Sequence, residues 1–345
     1  MRIGVLTGGG DCGGLNAAIR AIVIRAAHSG HTIVGVQDGW AGMVEARGEP
    51  LSVPAVAGIS GLGGTILGSS RTNPDKVPNG VERVRATFQT LELDALIAIG
   101  GDDTLGVAAK LAAAGLPVVG VPKTMDNDLS ATDACIGFYT AVERVMSACD
   151  DLRTTADSHH RALVLEVMGR HAGWVATFGG LAGGADVILV PEQRTKLDEI
   201  ATRLRARRDA GYSSSLVVVA EGAEIDGLET QTAAGQVDAF GHAQMVSRGL
   251  GEALADALSR ATGIESRAMV LGHLQRGGPP TAFDRILGAR TGAAAMDLVL
   301  AGRFGMVPVL RGSEIVPVPL SEAVAANRTI PLDLYHLADA LTAPA

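Results

Sequence analysis

With 345 residues the chain has the length of two ordinary domains, each able to bury a core of its own. Hydrophobic residues make up 47% and aromatics only 3%, so the interior has to be built from Ala, Val, Leu and Ile, a composition suited to buried parallel strands under helices. A net charge of −8 excludes the broad basic face that a nucleic acid or an acidic membrane requires, and no run of about 18 apolar residues offers a membrane span.

Short apolar runs recur along the chain: Ile3 to Leu6, Thr32 to Val36, Ala95 to Ile99, Val118 to Val121, Ala162 to Val167, Asp186 to Val190, Leu216 to Ala220 and Ala268 to Leu271. Each is followed by Gly or a polar turn and then by a stretch of helical period, which predicts an α/β fold with parallel sheets and ligands beyond the carboxyl ends of the strands. The stretch from about Glu224 to Gly241 is rich in Gly and Thr and reads as a surface loop. Cys12, Cys135 and Cys149 have neither an even count nor metal-type spacing and read as reduced structural thiols. His28, His31 and His242 read as surface residues. The chain opens on a strand-like run without a charged leader, so a cytoplasmic protein is expected.

After the first run come Gly8, Gly9, Gly10, Asp11, Cys12, Gly13 and Gly14, and a helix opens near Asn16. Backbone N–H groups at such a helix start make a phosphate cradle. Gly8, Gly10 and Gly13 also satisfy a dinucleotide fingerprint, with Asp38 available as its ribose-binding acid, so a nicotinamide dehydrogenase and a plain tight turn both stay open at this point. After the third run come Gly100, Gly101, Asp102, Asp103 and Thr104. Paired carboxylates beside glycines suit Mg²⁺ shared with phosphate oxygens, and a helix cap is the alternative. The fourth run ends in Pro122, Lys123, Thr124, Met125, Asp126, Asn127 and Asp128. One ammonium and two carboxylates so close together can neutralise a transferring phosphoryl group and take the proton of an attacking hydroxyl.

These segments, with G-G-T-I-L-G-S-S-R, H-H-R, E-V-M-G-R, A-E-G and S-R-A-M-V-L-G-H-L-Q-R-G-G in order from Thr7 to Gly278, resemble the phosphofructokinase family. The resemblance implies two Rossmann-like three-layer α/β/α domains with mostly parallel sheets. Residues 1–138 with about 252–304 would form the phosphoryl-donor domain, and 139–251 with about 305–345 the fructose 6-phosphate domain.

It further implies that Asp126 is the proton acceptor for the sugar 1-hydroxyl, that Thr124 helps hold the acceptor and that Asp128 orients its neighbours. Asp102 would carry Mg²⁺, Gly10 would meet the donor phosphate and Arg71 would bridge phosphates. Arg161, Arg267, His273 and Arg276 would bind the sugar 6-phosphate, whose dianion suits paired guanidinium donors. Met168, Gly169, Arg170 and Glu221 would line the sugar. Arg161 and Arg267 would reach a neighbouring subunit's site, which implies a homodimer or homotetramer.

By the same resemblance Asp103 stands where the ATP-using members carry Gly and Lys123 where they commonly do, although some of them carry Lys; the pair matches the pyrophosphate-dependent members, and Asp103 is the discriminating residue. A carboxylate at position 103 would face the α-phosphate of ATP, and two like charges about 4 Å apart repel by about 4 kcal/mol at an effective dielectric near 20. An ATP-dependent enzyme and a catalytically dead sugar-phosphate sensor are the competing readings. Ser213, Ser214 and Ser215 replace the lysines that bind effector phosphates in allosteric members, although Arg20 and Arg153 persist, and no strong allosteric control is expected.

Overall fold

A computed structural model describes residues 1–228 and 249–342. His242 and most of the expected surface loop after Glu224 lie outside the described residues. Two compact units emerge, one of residues 1–140 and 276–327, the other of residues 141–228, 249–275 and 328–342.

In chain order the first unit contains β1 (Arg2–Thr7), α1 (Leu15–His28), β2 (Thr32–Val36), α2 (Trp40–Glu45), β3 (Gly48–Leu51), α3 (Gly80–Thr90), β4 (Ala95–Gly100), α4 (Asp102–Ala113) and β5 (Val118–Pro122). Helix α5 (Phe138–His159) carries the chain into the second unit, which holds β6 (Ala162–Val167), α6 (Trp174–Ala182), β7 (Val187–Leu189), β8 (Thr195–Lys196), α7 (Leu197–Asp209), β9 (Ser215–Ala220), β10 (Ile225–Asp226), α8 (Leu250–Thr262) and β11 (Ser266–Val270). The first unit resumes with α9 (Ala282–Leu300), β12 (Met306–Arg311), β13 (Glu314–Pro319) and α10 (Leu320–Ala323), and α11 (Leu332–Thr342) closes the second.

The first sheet runs β3-β2-β1-β4-β5, parallel except for β3 at its edge. Its central strands are apolar on both faces because both are covered. Leu6, Leu96 and Ala98 join the core that includes Met43, Val84, Phe88 and Leu105 of α2, α3 and α4. The alternate residues Ile3, Val5, Ile97 and Ile99 are equally buried on the opposite face. The second sheet runs β11-β6-β9-β7, all parallel. Val164, Val217 and Val219 pack with Ile200, Leu204, Leu254 and Leu258 of α7 and α8, while the other face meets α6 closely enough that a Cβ on Gly180 would lie 3.0 Å from Ile188.

All eight apolar runs are strands. The expected division of the chain fails in two places. Residues 252–275 belong to the second unit, because β11 pairs with β6 from Ser266↔Ala162 to Val270↔Glu166. Residues 306–327 belong to the first, because Val307, Val309 and Val318 are buried with Leu105 and Val118. The three cysteines are buried and form no disulfide, and among the described residues no helix is long and apolar enough to cross a membrane.

Candidate active site

In the first unit β1 pairs with β4, and β4 with β5, in continuous parallel register. Three loops far apart in sequence therefore leave the sheet at one edge. The glycine loop after β1 is stitched to its surroundings through the backbone: Gly8 N–H donates to the Ile99 carbonyl at 2.9 Å and Gly9 N–H to the Ser70 carbonyl at 3.1 Å. The Ser69 hydroxyl donates to the Gly9 carbonyl, and the Ser70 hydroxyl to the Asp38 carbonyl at 2.7 Å. Arg71, at the end of that segment, is exposed. A Cβ at position 10 would lie 2.5 Å from the Arg276 guanidinium, so a side chain there would displace that arginine from the loop. Arg276 donates to the Asp11 carbonyl at 3.1 Å, so a residue expected at the sugar phosphate lies against the donor loop.

Beyond β4, Gly101 is the N-cap of α4, and Asp102 and Asp103 occupy its first turn. Neither carboxylate is the cap; both sit where the positive end of the helix dipole favours negative charge. Lys123 follows β5 and donates its backbone N–H to the Gly100 carbonyl at 2.9 Å. Its side chain passes beneath the glycine loop, where Nζ donates to the Gly8 carbonyl at 3.0 Å and the Gly10 carbonyl at 2.6 Å. The residue is only 3% exposed. Burial lowers the pKa of the ammonium, and Cys12, Asp11 and Asp126 oppose that shift.

The next residues form a tight polar turn. Asp126 N–H donates to Thr124 Oγ1 at 3.2 Å. Asn127, in the left-handed region at φ 53°, accepts the Cys135 N–H at 2.9 Å and donates to the Asp133 carbonyl at 3.3 Å, folding the loop back on itself. Burial first, then the charges of Asp126 and Asp102, push the Asp128 carboxyl up to about 6. Asp128 Oδ1 is buried without a hydrogen-bond partner. Three acids thus share one electrostatic neighbourhood. Among the described residues no three His, Cys, Asp or Glu side chains converge into a closed metal cage.

In the second unit, Met168, Gly169 and Arg170 follow β6, and Glu221 follows the neighbouring β9. Glu221 N–H donates to the Val167 carbonyl at 2.8 Å and Gly222 N–H to the Gly169 carbonyl at 3.1 Å. The buried Gln275 accepts the Met168 N–H at 3.2 Å. His273 is exposed in the short turn after β11. Arg161 precedes β6 and Arg267 is the second residue of β11, so both stand at the amino ends of the strands. Their guanidinium groups clasp one carboxylate, Glu265, at 2.9 Å each. A six-residue strand separates Arg161 from Met168, a span of roughly 20 Å at 3.3 Å per residue. The structure brings Met168, Gly169, Arg170 and Glu221 together, and in the same protomer it leaves Arg161 and Arg267 apart from them.

A family model of phosphofructokinase matches residues 2–299. The chain belongs to the phosphofructokinase family. Over 98% of its length it is 53% identical to the pyrophosphate--fructose 6-phosphate 1-phosphotransferase of Amycolatopsis methanolica, covering 99% of that protein. It is also 46% identical, over 98% of its length and 99% of the relative, to ATP-dependent 6-phosphofructokinase 3 of Streptomyces coelicolor. A pyrophosphate-dependent phosphofructokinase from Marinobacter aquaeolei superposes with a TM-score of 0.82 at 26% identity, over 100% of this chain and 92% of that one. A phosphofructokinase from Saccharomyces cerevisiae gives 0.80 at 31% identity; the match takes in 94% of this chain and only 45% of the yeast chain. In a phosphofructokinase the dinucleotide reading of the first glycine loop lapses, and Asp38 is instead ion-paired with Arg47 at 2.6 Å. The roles of Asn127 and Gln275 went unread in the sequence, although both lie inside motifs that carry the family resemblance.

Proposed function

We propose that this phosphofructokinase is pyrophosphate-dependent, transferring a phosphoryl group reversibly from diphosphate to the 1-hydroxyl of D-fructose 6-phosphate. The products are fructose 1,6-bisphosphate and phosphate, and the similar transfer potentials of donor and product suit both glycolysis and gluconeogenesis. The observation that carries the reading is Asp103 on the first turn of α4, beside Asp102, with the buried Lys123 ammonium under the glycine loop.

Asp126 takes the proton of the attacking hydroxyl, and Thr124 orients the acceptor. Gly10 lets the backbone approach the donor, while Lys123 holds that loop and adds positive charge where negative charge develops. Met168, Gly169, Arg170 and Glu221 receive the sugar, and Arg161, Arg267, His273 and Arg276 bind its 6-phosphate. Asp103 rejects the α-phosphate of ATP. The acids also fit Mg²⁺: a buried Asp128 oxygen lacks a hydrogen-bond partner, and burial first, then the charges of Asp126 and Asp102, raise the Asp128 pKa, a cost of crowding carboxylates that a divalent cation relieves. Asp102 would hold the ion together with donor phosphates, and the ion would neutralise charge on the transferring group.

Parallel initial-rate assays test the donor. Turnover is expected with pyrophosphate, lost on chelation of divalent cations and restored by Mg²⁺; a preference for ATP would reverse the assignment. Saturation by fructose 6-phosphate is expected to be hyperbolic in the same assays. Arg153 supports this, because it neutralises the buried Asp186 at 2.8 Å and donates to the Gly184 carbonyl at 2.6 Å, and so is engaged within its own unit.

The placement of Arg161 and Arg267 at the amino ends of their strands supports a homo-oligomer in which they serve a neighbouring subunit's site. Arg267→Ala is expected to raise KM for fructose 6-phosphate roughly 10- to 100-fold, the loss of about 1.5–3 kcal/mol for a charged hydrogen bond. An unchanged KM would remove Arg267 from the sugar-phosphate site.

A further inference from the structure

Asp284 is wholly buried in the first turn of α9, six residues beyond the last of the motifs quoted above, which ends at Gly278. A carboxylate at the third position of a helix ordinarily turns back to its own N-cap. Here it keeps a 3.4 Å hydrogen bond from the Thr281 hydroxyl of its own N-cap and makes its shorter bonds outward, to another helix. It accepts Gly137 N–H at 2.9 Å, Thr140 N–H at 2.7 Å and the Thr140 hydroxyl at 2.6 Å. Gly137 and Thr140 flank the start of α5, whose entry residue is a glycine without a side chain to cap it. Asp284 supplies that cap across 144 residues of sequence.

The capped turn is the exit of the loop that carries Thr124, Asp126 and Asp128. Ile136, immediately before Gly137, bridges to Lys123 as a parallel neighbour, and its N–H donates to the Pro122 carbonyl at 3.4 Å. The Cys12 thiol of the glycine loop donates to the Ile136 carbonyl at 3.4 Å. Asp284 also belongs to a helix pressed hard against α1, the helix that opens from the glycine loop. A Cβ on Gly288 would lie 2.7 Å from the Gly14 carbonyl oxygen, and one on Gly292 would lie 2.6 Å from that of Ala18. Helix α9 therefore grips the glycine loop through backbone contact and the phosphoryl-transfer loop through one carboxylate.

We infer that Asp284 is a positioning residue for phosphoryl transfer, setting the Lys123–Asp128 loop against the glycine loop by capping α5 from α9. The inference rests on the assignment of Asp126 as proton acceptor. A misplaced base slows the chemical step far more than it weakens binding of substrates held by other residues, because near-attack geometry is lost steeply with distance.

Asp284→Asn puts an amide donor against N–H and hydroxyl donors, and Thr140→Val removes a single hydroxyl while keeping the carboxylate. Thr291→Val is the control: it deletes a buried hydroxyl of the same helix, bonded to the Leu287 carbonyl at 2.8 Å, without touching either loop. We expect kcat to fall at least tenfold in Asp284→Asn and several-fold in Thr140→Val, with KM for fructose 6-phosphate within twofold of the parent. Thr291→Val is expected to keep kcat within twofold while lowering the melting temperature. Unchanged kcat in the first two variants would overturn the inference. So would a loss that disappears at temperatures where the variants are fully folded, or an equal loss in Thr291→Val. Should Asp284→Asn fail to fold, Thr140→Val decides alone. The comparison uses ratios to the parent, so it reads equally well with whichever donor the parent uses, and a wrong donor assignment would show separately in the parent's own rates.

Discussion

Asp126→Asn is expected to lower kcat for the pyrophosphate reaction by roughly a thousandfold, within the range that a positioned general base contributes. The amide has the shape of the carboxylate, so the turn built on Thr124, Asn127 and Cys135 should persist. Only the capacity to take a proton is removed. A thousandfold loss corresponds to about 4 kcal/mol of transition-state stabilisation, and it should fall on kcat with KM for fructose 6-phosphate changed by a few-fold at most. Steady-state rates in both directions measure this, since the reverse reaction needs the same group as a proton donor. A loss below tenfold in both directions would give the role of base to another residue.

The second large effect concerns the donor. Asp103→Gly should raise kcat/KM for ATP by two to three decades, because removing a charge that repels by about 4 kcal/mol removes close to a thousandfold barrier. Glycine in the first turn of α4 would cost up to about 1 kcal/mol of helix stability, which the protein should tolerate. Adding Lys123→Gly would remove another residue that differs from the ATP-using pattern, yet the structure argues against a further gain. That side chain is buried and tethers both the Gly8 and the Gly10 carbonyls, so its loss opens a void and frees the loop that must face either donor. The double variant should therefore be slower with pyrophosphate and no faster with ATP than the single one. An Asp103→Gly enzyme that still ignores ATP would sink the electrostatic account of donor choice.

Much of the site was legible because parallel strands deliver their chemistry at the carboxyl end. Once the runs ending at Thr7, Ile99 and Val121 are read as strands, the glycines, Asp102, Asp103, Lys123 and Asp126 fall together without further information. The β12–β13 hairpin escaped because Pro308, Pro317 and Pro319 interrupt its apolar pattern, and proline argues against a strand when only sequence is in view. The domain division escaped for another reason. The chain passes between units within α5 and near residues 275 and 327, without a polar or flexible linker to mark the passage. The Lys123 tether and the Asp284 cap depend on backbone groups that only tertiary packing brings near, so no spacing in the sequence announces them. The amino-end placement of Arg161 and Arg267 likewise needed the pairing register of β6 and β11.

An ammonium offers three protons, and the one at Lys123 has committed two of them to the chain beneath which it lies. Under the proposed donor assignment it is at once scaffold and counter-charge, and those duties cannot be surrendered separately. A lineage drifting from one phosphoryl source to the other would have to alter the acid at the head of α4 first, and could release the lysine only after some other group had learned to hold the glycines in place.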